Sequence, residues 1–180
     1  VLYGIDLEIE EGSLVGVIGP NGAGKSTLVK AIMNMVKPNG GYVKIFGQSP
    51  KEGISRIGYI PQRESVDWDF PVTVMDVVLM GRYGHVGWLK RIGRSDRTIA
   101  CECLEQVDML PYANRQIGNL SGGQQQRVFL ARALAQESSL YLMDEPFAGV
   151  DAVTEKAIVT LLKGMRERGT VSYTHLRAHE

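Results

Sequence analysis

The stretch that decides the fold runs from residue 19 to residue 26 and reads Gly19-Pro20-Asn21-Gly22-Ala23-Gly24-Lys25-Ser26. A short apolar run, Leu14 to Ile18, precedes it and is typical of a parallel strand buried in a sheet. A helix is predicted from about Lys25, because apolar residues such as Leu28 and Ile32 share one of its faces. A glycine-rich loop between a strand and a helix indicates a phosphate-binding loop.

This loop has the chemistry that a triphosphate requires. Glycine lets the backbone approach the phosphates with its N–H groups pointing inward, and the start of the helix adds partial positive charge. We expect Lys25 to reach the β- and γ-phosphates, Ser26 to ligate Mg²⁺ and Thr27 to contact the α-phosphate. The predicted cofactors are ATP and Mg²⁺, and the predicted nucleotide-binding residues are Gly19, Pro20, Asn21, Gly22, Ala23, Gly24, Lys25, Ser26 and Thr27.

A second apolar run, Leu140 to Met143, ends in two acidic residues, Asp144 and Glu145. Asp144 is predicted to hold the Mg²⁺ through water, and Glu145 is placed to polarise the attacking water. A general base contributes a factor of roughly 10²–10⁴ to the rate. Taken alone, the pattern usually indicates a strand that meets solvent, but after a phosphate-binding loop it predicts a hydrolytic site.

Two further motifs are weak in isolation. Residues 120–124 read Leu120-Ser121-Gly122-Gly123-Gln124 and precede a helix that is predicted to start near Gly123. A serine and two glycines at a helix N-terminus can bind an anion, but the same sequence also fits an ordinary capped loop. Gln62, just after a predicted strand at Arg56 to Ile60, carries no meaning by itself.

The arrangement of predicted elements favours an α/β fold. Strands are also predicted at residues 5–9 and 42–46, and a last helix follows Asp151. From Val72 to Gln136 the pattern is helical, interrupted by Gly81 to Gly93, with Ser95 as the expected cap of one helix. We therefore predict a P-loop NTPase core with a parallel sheet, into which a helical subdomain at about 72–136 is inserted.

Composition is consistent with one globular domain. The chain has 180 residues, 44% of them hydrophobic and 22% charged, and a net charge of zero. It lacks the overall basic signal of a nucleic-acid binder, so we expect no nucleic-acid partner. No apolar run reaches the ~18 residues of a membrane span. Cys101 and Cys103 do not make a disulfide framework, and we expect two free thiols with Cys103 in the core.

Taken together, these motifs resemble the ABC (ATP-binding cassette) ATPase family over nearly the whole chain. Residues 120–124 match the signature loop of that family, Gln62 its glutamine loop, and Ala148-Gly149-Val150-Asp151 its D-loop. The resemblance implies that two copies pack head to tail, with each ATP between the phosphate-binding loop of one and residues of the other. The residues implied to contact nucleotide in this way are Ser121, Gly122, Gly123, Gln124 and Asp151.

The resemblance also implies the catalytic roles and a partner. Glu145 and Gln62 would act in hydrolysis, and the Mg²⁺ ligands would be Ser26, Gln62 and Asp144. The helical subdomain would contact a transmembrane permease, with Gln62 linking the nucleotide state to that contact. The protein would then be peripheral, at the cytoplasmic face of the plasma membrane.

A narrower resemblance points to a substrate class. Residues 59–71, 77–88 and 143–151 look like the ATPases of manganese, zinc and iron importers, which work with an extracytoplasmic metal-binding protein. Import of a divalent metal is the leading interpretation. Import of an iron chelate or cobalamin, a soluble ABC protein acting on ribosomes or DNA, and a non-catalytic regulator remain as alternatives, although Glu145 argues against the last.

Both ends of the chain depart from the family pattern. Tyr3 lies in the wrong element to stack on adenine, so we expect the true N-terminus to be missing. His175 lies one position early for the family's switch histidine, and Leu176 follows it where Asp is usual. We therefore expect 1–170 to be a truncated nucleotide-binding domain that binds ATP weakly and hydrolyses it poorly. Residues 171–180 look like a translated sequencing adapter, a non-native tail, so the last strand of the sheet would be absent.

Overall fold

The computed structural model contains a four-stranded parallel sheet. It describes residues 2–20, 22–62, 67–68, 70–86, 91–144, 147, 151–167 and 171–177. The strands lie in the order β1-β4-β3-β2 and pair in parallel throughout. Their bounds are β1 Leu14–Gly19, β2 Ile57–Ile60, β3 Leu140–Met143 and β4 Val171–Arg177. The α/β fold with a parallel sheet is confirmed.

Helices of the described residues follow the predicted pattern in outline. Those predicted from about Lys25, near Gly123 and after Asp151 all form. Single 3₁₀ turns occupy residues 54–56, 110–112 and 117–119. The α-helices are α1 Lys25–Ile32, α2 Pro50–Gly53, α3 Val74–Met80, α4 Tyr83–Val86, α5 Arg94–Gln106, α6 Gly122–Ala135 and α7 Ala152–Glu167.

One large hydrophobic core joins the helical stretch to the sheet. It includes Leu104 of α5, Val128 of α6, Met143 of β3 and Ile158 of α7, each at most 2% exposed. Side chains of this kind contribute about 1.5–3 kcal/mol each when fully buried. The stretch at 72–136 is therefore helical as expected, and its separation as a subdomain stays a prediction.

Three helical segments meet at Arg82, whose side chain is only 8% exposed. Its Nη1 donates to the carbonyl oxygen of Ala135 at 2.7 Å and to Glu137 Oε2 at 2.5 Å, and its Nε donates to Asp96 Oδ1 at 3.1 Å. The N–H of Gly93 and then the Arg82 guanidinium hold the pKa of Asp96 below its usual value. Arg82 thus ties the end of α6 to the start of α5.

Two predicted strands do not form. Residues 2–10 have no regular secondary structure, and Ile5 and Leu7 are exposed. Residues 42–46 give only an isolated antiparallel bridge, in which Ile45 and Gln48 bond across a tight turn. Alternating hydrophobicity produces a strand only where a neighbouring strand supplies hydrogen-bond partners, and neither segment lies in the sheet.

Two smaller expectations also need correction. The cap of α5 is Gly93 rather than Ser95, because the carboxylate of Asp96 accepts a hydrogen bond from the Gly93 N–H at 2.9 Å. β1 is not buried on both faces as an interior parallel strand would be, since Ile18 is 67% exposed.

The expectation that the last strand is absent is wrong. Val171–Arg177 lies between β1 and β3, with Val17 opposite His175 and Met143 opposite Thr174. The facing edges of β1 and β3 both carry backbone groups that need partners. An extended segment that follows α7 satisfies both edges by its backbone alone. Whether residues 171–180 are native stays a prediction.

Candidate nucleotide-binding site

The phosphate-binding loop connects the end of β1 to the start of α1. Gly22 has φ 81° and Gly24 has φ 91°, a left-handed region that residues with a Cβ rarely adopt. The Ala23 N–H donates to the carbonyl oxygen of Pro20 at 3.2 Å and closes the turn. Gly22 and Ala23 are exposed, so the loop is open to a ligand, while Asn21 lies outside the described residues.

The first turn of α1 presents backbone donors to this loop. Its N-cap is Gly24, which has no side chain to bond the N–H groups that begin a helix. Ser26 and Thr27 lie in that turn, as the sequence predicts. An anion at this position would accept bonds from these N–H groups and would lie at the positive end of the helix dipole.

Lys25 curls back over the loop. Only 8% of it is exposed, and its Nζ donates to the carbonyl oxygens of Gly19 at 2.5 Å and Pro20 at 2.8 Å. These two acceptors use two of the three protons of the ammonium group. The positive charge is therefore held within the curve of the loop, where a phosphate group would lie.

Asp144 and Gln62 both follow strands at the carboxyl-terminal end of the sheet. The N–H of Asp144 donates to the carbonyl oxygen of Ile60 at 3.0 Å, which joins the carboxyl ends of β3 and β2. Asp144 is 6% exposed, and Gln62 is two residues beyond Ile60 and partly buried. The phosphate-binding loop follows β1, two strand positions from β3 and therefore about 10 Å away.

Glu145, the predicted base, lies outside the described residues, as do residues 148–150 of the predicted D-loop. Asp151 is described and exposed, and its carbonyl oxygen accepts from the Glu155 N–H at 2.9 Å in the first turn of α7. The structure thus places Asp144 at the site edge and leaves the adjoining Glu145 as a prediction.

The predicted signature residues form the N-terminus of α6. The Ser121 N–H donates to Gln124 Oε1 at 2.9 Å, and the Gln124 N–H donates to Ser121 Oγ at 3.4 Å. This reciprocal pair is a capping box. Ser121 is exposed and Gly123 is buried, so the hydroxyl is presented at the surface on a 14-residue helix.

Sequence reasoning missed a groove beside Gln62. This groove is a cavity of about 280 Å³ between the end of β2 and the helical stretch. Arg132 stands in its largely apolar wall, and burial lowers the pKa of this guanidinium. The sequence feature that could have indicated this groove is Arg132, a charged residue on an otherwise apolar face of α6. The residues that line the groove include Pro61, Asp67, Trp68, Phe70, Val77, Phe129 and Arg132.

Comparison with known proteins decides the family. The family model described as ABC transporter matches residues 2–148. The chain belongs to the ABC transporter family. It is thus an ABC-type ATPase domain, and the resemblance that rested on the phosphate-binding, signature and glutamine loops is confirmed.

Curated members of the ABC transporter family are similar along most of the chain. The manganese transport system ATP-binding protein MntB of Bacillus subtilis is 58% identical over 176 residues, which cover 97% of this chain and 70% of that protein. The zinc transport system ATP-binding protein TroB of Treponema pallidum is 57% identical, with 94% of this chain and 64% of that protein covered. The chain therefore spans about two thirds of the length of these relatives.

Solved structures of the family have the same fold. The dimeric structure of a bacterial ABC transporter cassette matches with a TM-score of 0.84 and 32% identity, covering 97% of this chain and 78% of that one. A post-hydrolysis dimer of the same cassette, bound to ADP and Pi, matches with a TM-score of 0.82 and 30% identity, covering 99% and 80%. Within the described ranges, no helix combines the length and apolarity that a membrane span requires.

Proposed function

We propose that this ABC family member hydrolyses ATP to drive the import of a divalent metal ion, with Mn²⁺ or Zn²⁺ as cargo. Identity of 58% and 57% to a manganese and a zinc transport ATP-binding protein is the observation that carries the proposal. These names give less support to iron, which the sequence resemblance also included. The identity to the manganese and zinc proteins favours metal import over an iron chelate, cobalamin or a non-transport role.

The residues at the sheet edge fit an ATP–Mg²⁺ complex. Magnesium prefers oxygen ligands, and the Ser26 hydroxyl, the Gln62 amide and the Asp144 carboxylate supply them. When bound, Mg²⁺ would neutralise part of the charge on the β- and γ-phosphates. The backbone N–H groups of the loop and the Lys25 ammonium, held in the curve of the loop, would orient the triphosphate.

Hydrolysis would depend on Glu145 and on a second copy of the chain. Glu145 follows Asp144 directly and would accept a proton from the attacking water. The exposed Ser121 cap and the N-terminus of α6 would cover the far side of the triphosphate in a head-to-tail dimer. The dimeric cassettes of the same fold support this arrangement.

The groove would receive a segment of a membrane permease. It is lined mostly by apolar side chains, reaches Pro61 beside Gln62, and carries both the guanidinium of Arg132 and the carboxylate of Asp67 in its wall. A helix end from a permease that places its carboxyl-terminal carbonyls near Arg132 and apolar side chains along the wall matches this chemistry. The protein would lie at the cytoplasmic face of the membrane through that contact, and an extracytoplasmic metal-binding protein would deliver the cargo.

Substitutions in the loop and at the base separate binding from hydrolysis. Lys25→Ala should weaken ATP binding at least about tenfold, since it removes the charge nearest the phosphates. Glu145→Gln should leave ATP affinity unchanged and lower kcat by roughly 10²–10⁴. Lys30→Ala is the matched control, because Lys30 is exposed on the same helix. Nucleotide titration and phosphate release measure the two effects, and full turnover by Glu145→Gln would contradict the assigned base.

Identification of the cargo requires an uptake assay on the assembled transporter. The protein would be reconstituted in vesicles with its permease and binding protein, and ATP-dependent uptake of Mn²⁺, Zn²⁺ and cobalamin would be compared. Uptake of Mn²⁺ or Zn²⁺ that is lost in Glu145→Gln supports the proposal. ATP-dependent uptake of cobalamin alone would overturn the metal assignment while leaving the ATPase intact.

A further inference from the structure

The last part of α6 is bonded to the free edge of β2. β2 is an end strand of the sheet, and its partner β3 occupies only one edge. Toward β3, the carbonyl oxygens of Arg56 and Ile60 accept from the N–H groups of Ser139 and Asp144, each at 3.0 Å. The carbonyl oxygens of the intervening residues Ile57 and Tyr59 point the other way, because direction alternates along a strand.

Two side chains of α6 and its C-cap supply the donors for those outward carbonyls. Arg132 Nη2 donates to the Tyr59 carbonyl oxygen at 3.0 Å, and Gln136 Nε2 donates to the Ile57 carbonyl oxygen at 2.8 Å. Arg132 and Gln136 are four residues apart, one helical turn, while Ile57 and Tyr59 are two apart on a strand. The two bonds therefore fix the register between α6 and β2.

Arg132 is also part of the groove surface. Its guanidinium lies over the Phe129 ring, 4.5 Å from the ring centroid. The Phe129 ring in turn meets Trp68 edge-on, with centroids 5.2 Å apart and planes at 65°. One side chain thus contacts both the groove wall and the backbone of a residue three positions before Gln62.

The backbone of Arg132 is held by close packing. A Cβ at Gly81, at the end of α3, would lie 2.3 Å from the Arg132 carbonyl oxygen, so the two helices touch backbone to backbone there. This close packing favours a response of Arg132 to an occupant of the groove through its side chain. A movement of the guanidinium alters the bond to Tyr59 directly.

We propose that Arg132 is a positioning residue that transmits the occupancy of the groove to the Gln62 segment through its hydrogen bond to the Tyr59 carbonyl. The proposal rests on the proposed function, because it assumes that a permease segment fills the groove. A permease residue that draws the guanidinium away from Tyr59, or presses it closer, changes the end of β2. Gln62 then moves relative to Asp144, with which it shares the edge of the sheet.

Arg132→Met tests this in the assembled transporter, because methionine keeps an unbranched apolar side chain and removes the donor. We expect the permease-stimulated kcat to fall about tenfold, with the KM for ATP unchanged within about twofold, since the ATP-binding loop follows β1, three strand positions from β2. Arg132→Lys retains a charged donor but not the planar group, and should recover part of the loss. Arg56→Met is the matched control and should leave kcat unchanged. Arg56 lies directly before β2, and its exposed guanidinium stacks on the Phe46 ring.

Tryptophan fluorescence gives a readout that a general loss of stability would not mimic. The chain has two tryptophans, so Trp88→Phe leaves Trp68 as the reporter. Adding ATP and Mg²⁺ to this variant should change the Trp68 emission. The change should disappear when Arg132→Met is added, although the Kd for ATP stays the same.

The outcomes separate this inference from the proposed function. An Arg132→Met protein that keeps both the permease stimulation and the Trp68 response overturns the positioning role, as does an equal loss in Arg56→Met. A fall in kcat and a rise in KM that scale with a lowered melting temperature in both Arg132 variants would also overturn it, in favour of a structural role. A wild-type protein that has no ATP turnover would instead contradict the proposed function.

Discussion

Gly81 is the most sensitive position for testing the packing of the helical stretch. It ends α3 with φ −61°, a backbone conformation that any residue adopts, so conformational freedom is not the reason for glycine here. The reason is the space available: an added Cβ would lie 2.3 Å from the Arg132 carbonyl oxygen and 3.1 Å from that of Val78. Gly81→Ala therefore forces α3 and α6 apart.

The size of the effect follows from that distance. Ordinary contact with a Cβ begins near 3.4 Å, so the helices must separate by about 1 Å, and a backbone oxygen cannot rotate out of the way. Overpacking of this kind costs about 1–3 kcal/mol. For a domain of this size, each kcal/mol lowers Tm by about 2–4 °C, so we expect a fall of roughly 2–12 °C.

Gly84→Ala is the matched control, three residues further on. An added Cβ there has no neighbour within 4 Å, and Gly84 lies in the short helix α4. Alanine should therefore stabilise the fold by up to about 1 kcal/mol through helix propensity and a less flexible unfolded chain. Urea unfolding followed by circular dichroism compares the two variants. If Gly81→Ala is as stable as Gly84→Ala, the close approach of α3 and α6 is wrong.

Three further predictions concern Arg82, Cys103 and Thr73. Arg82→Met should lower Tm by about 5–10 °C through the loss of buried hydrogen bonds. The depressed pKa of Asp96 stabilises the fold above about pH 4, and this stabilisation is lost on acidification. Because Arg82 contributes to that depressed pKa, the Tm of the variant should depend less on pH in the acid range. Burial raises the pKa of the Cys103 thiol from 9.0 to about 11. A maleimide at pH 8 should therefore label Cys101 alone until the protein is unfolded, and stability due to the protonated Cys103 thiol should fall from about pH 9 to pH 11. Thr73→Ala should lower the free energy of unfolding by about 1 kcal/mol, because Thr73 Oγ1 caps α3, whereas Thr73→Ser should be close to wild type in urea titration.

Parts of the site could be predicted because their chemistry permits few sequences. A loop that wraps phosphate needs glycine at positions with positive φ, and Gly22 and Gly24 have φ 81° and 91°. A helix N-cap that bonds through its side chain uses a short oxygen-bearing residue, and Ser121 provides it for α6. Both features depend on residues that are close in sequence, so a local sequence pattern is enough to predict them. For the same reason, the sequence predicted the helix starts near Lys25 and Gly123 correctly.

Features that depend on distant parts of the chain could not be predicted in this way. The strand order places β4 between β1 and β3, and no local pattern in residues 171–177 indicates that position. The bonds from Arg132 and Gln136 to β2 join residues 73 and 79 positions apart. The failed strands at residues 5–9 and 42–46 show the same limit, because a local hydrophobic pattern describes a face but not a partner.

The side-chain bonds along β2 affect how the protein behaves at high concentration. An unprotected end strand offers its backbone to any extended segment of another molecule. On the β2 side, Arg132 and Gln136 already occupy the carbonyls that such a segment would need. The β1 side has an exposed Ile18 on the outermost strand. Intermolecular β-pairing, where it occurs, should therefore begin there, and Ile18→Lys should suppress it.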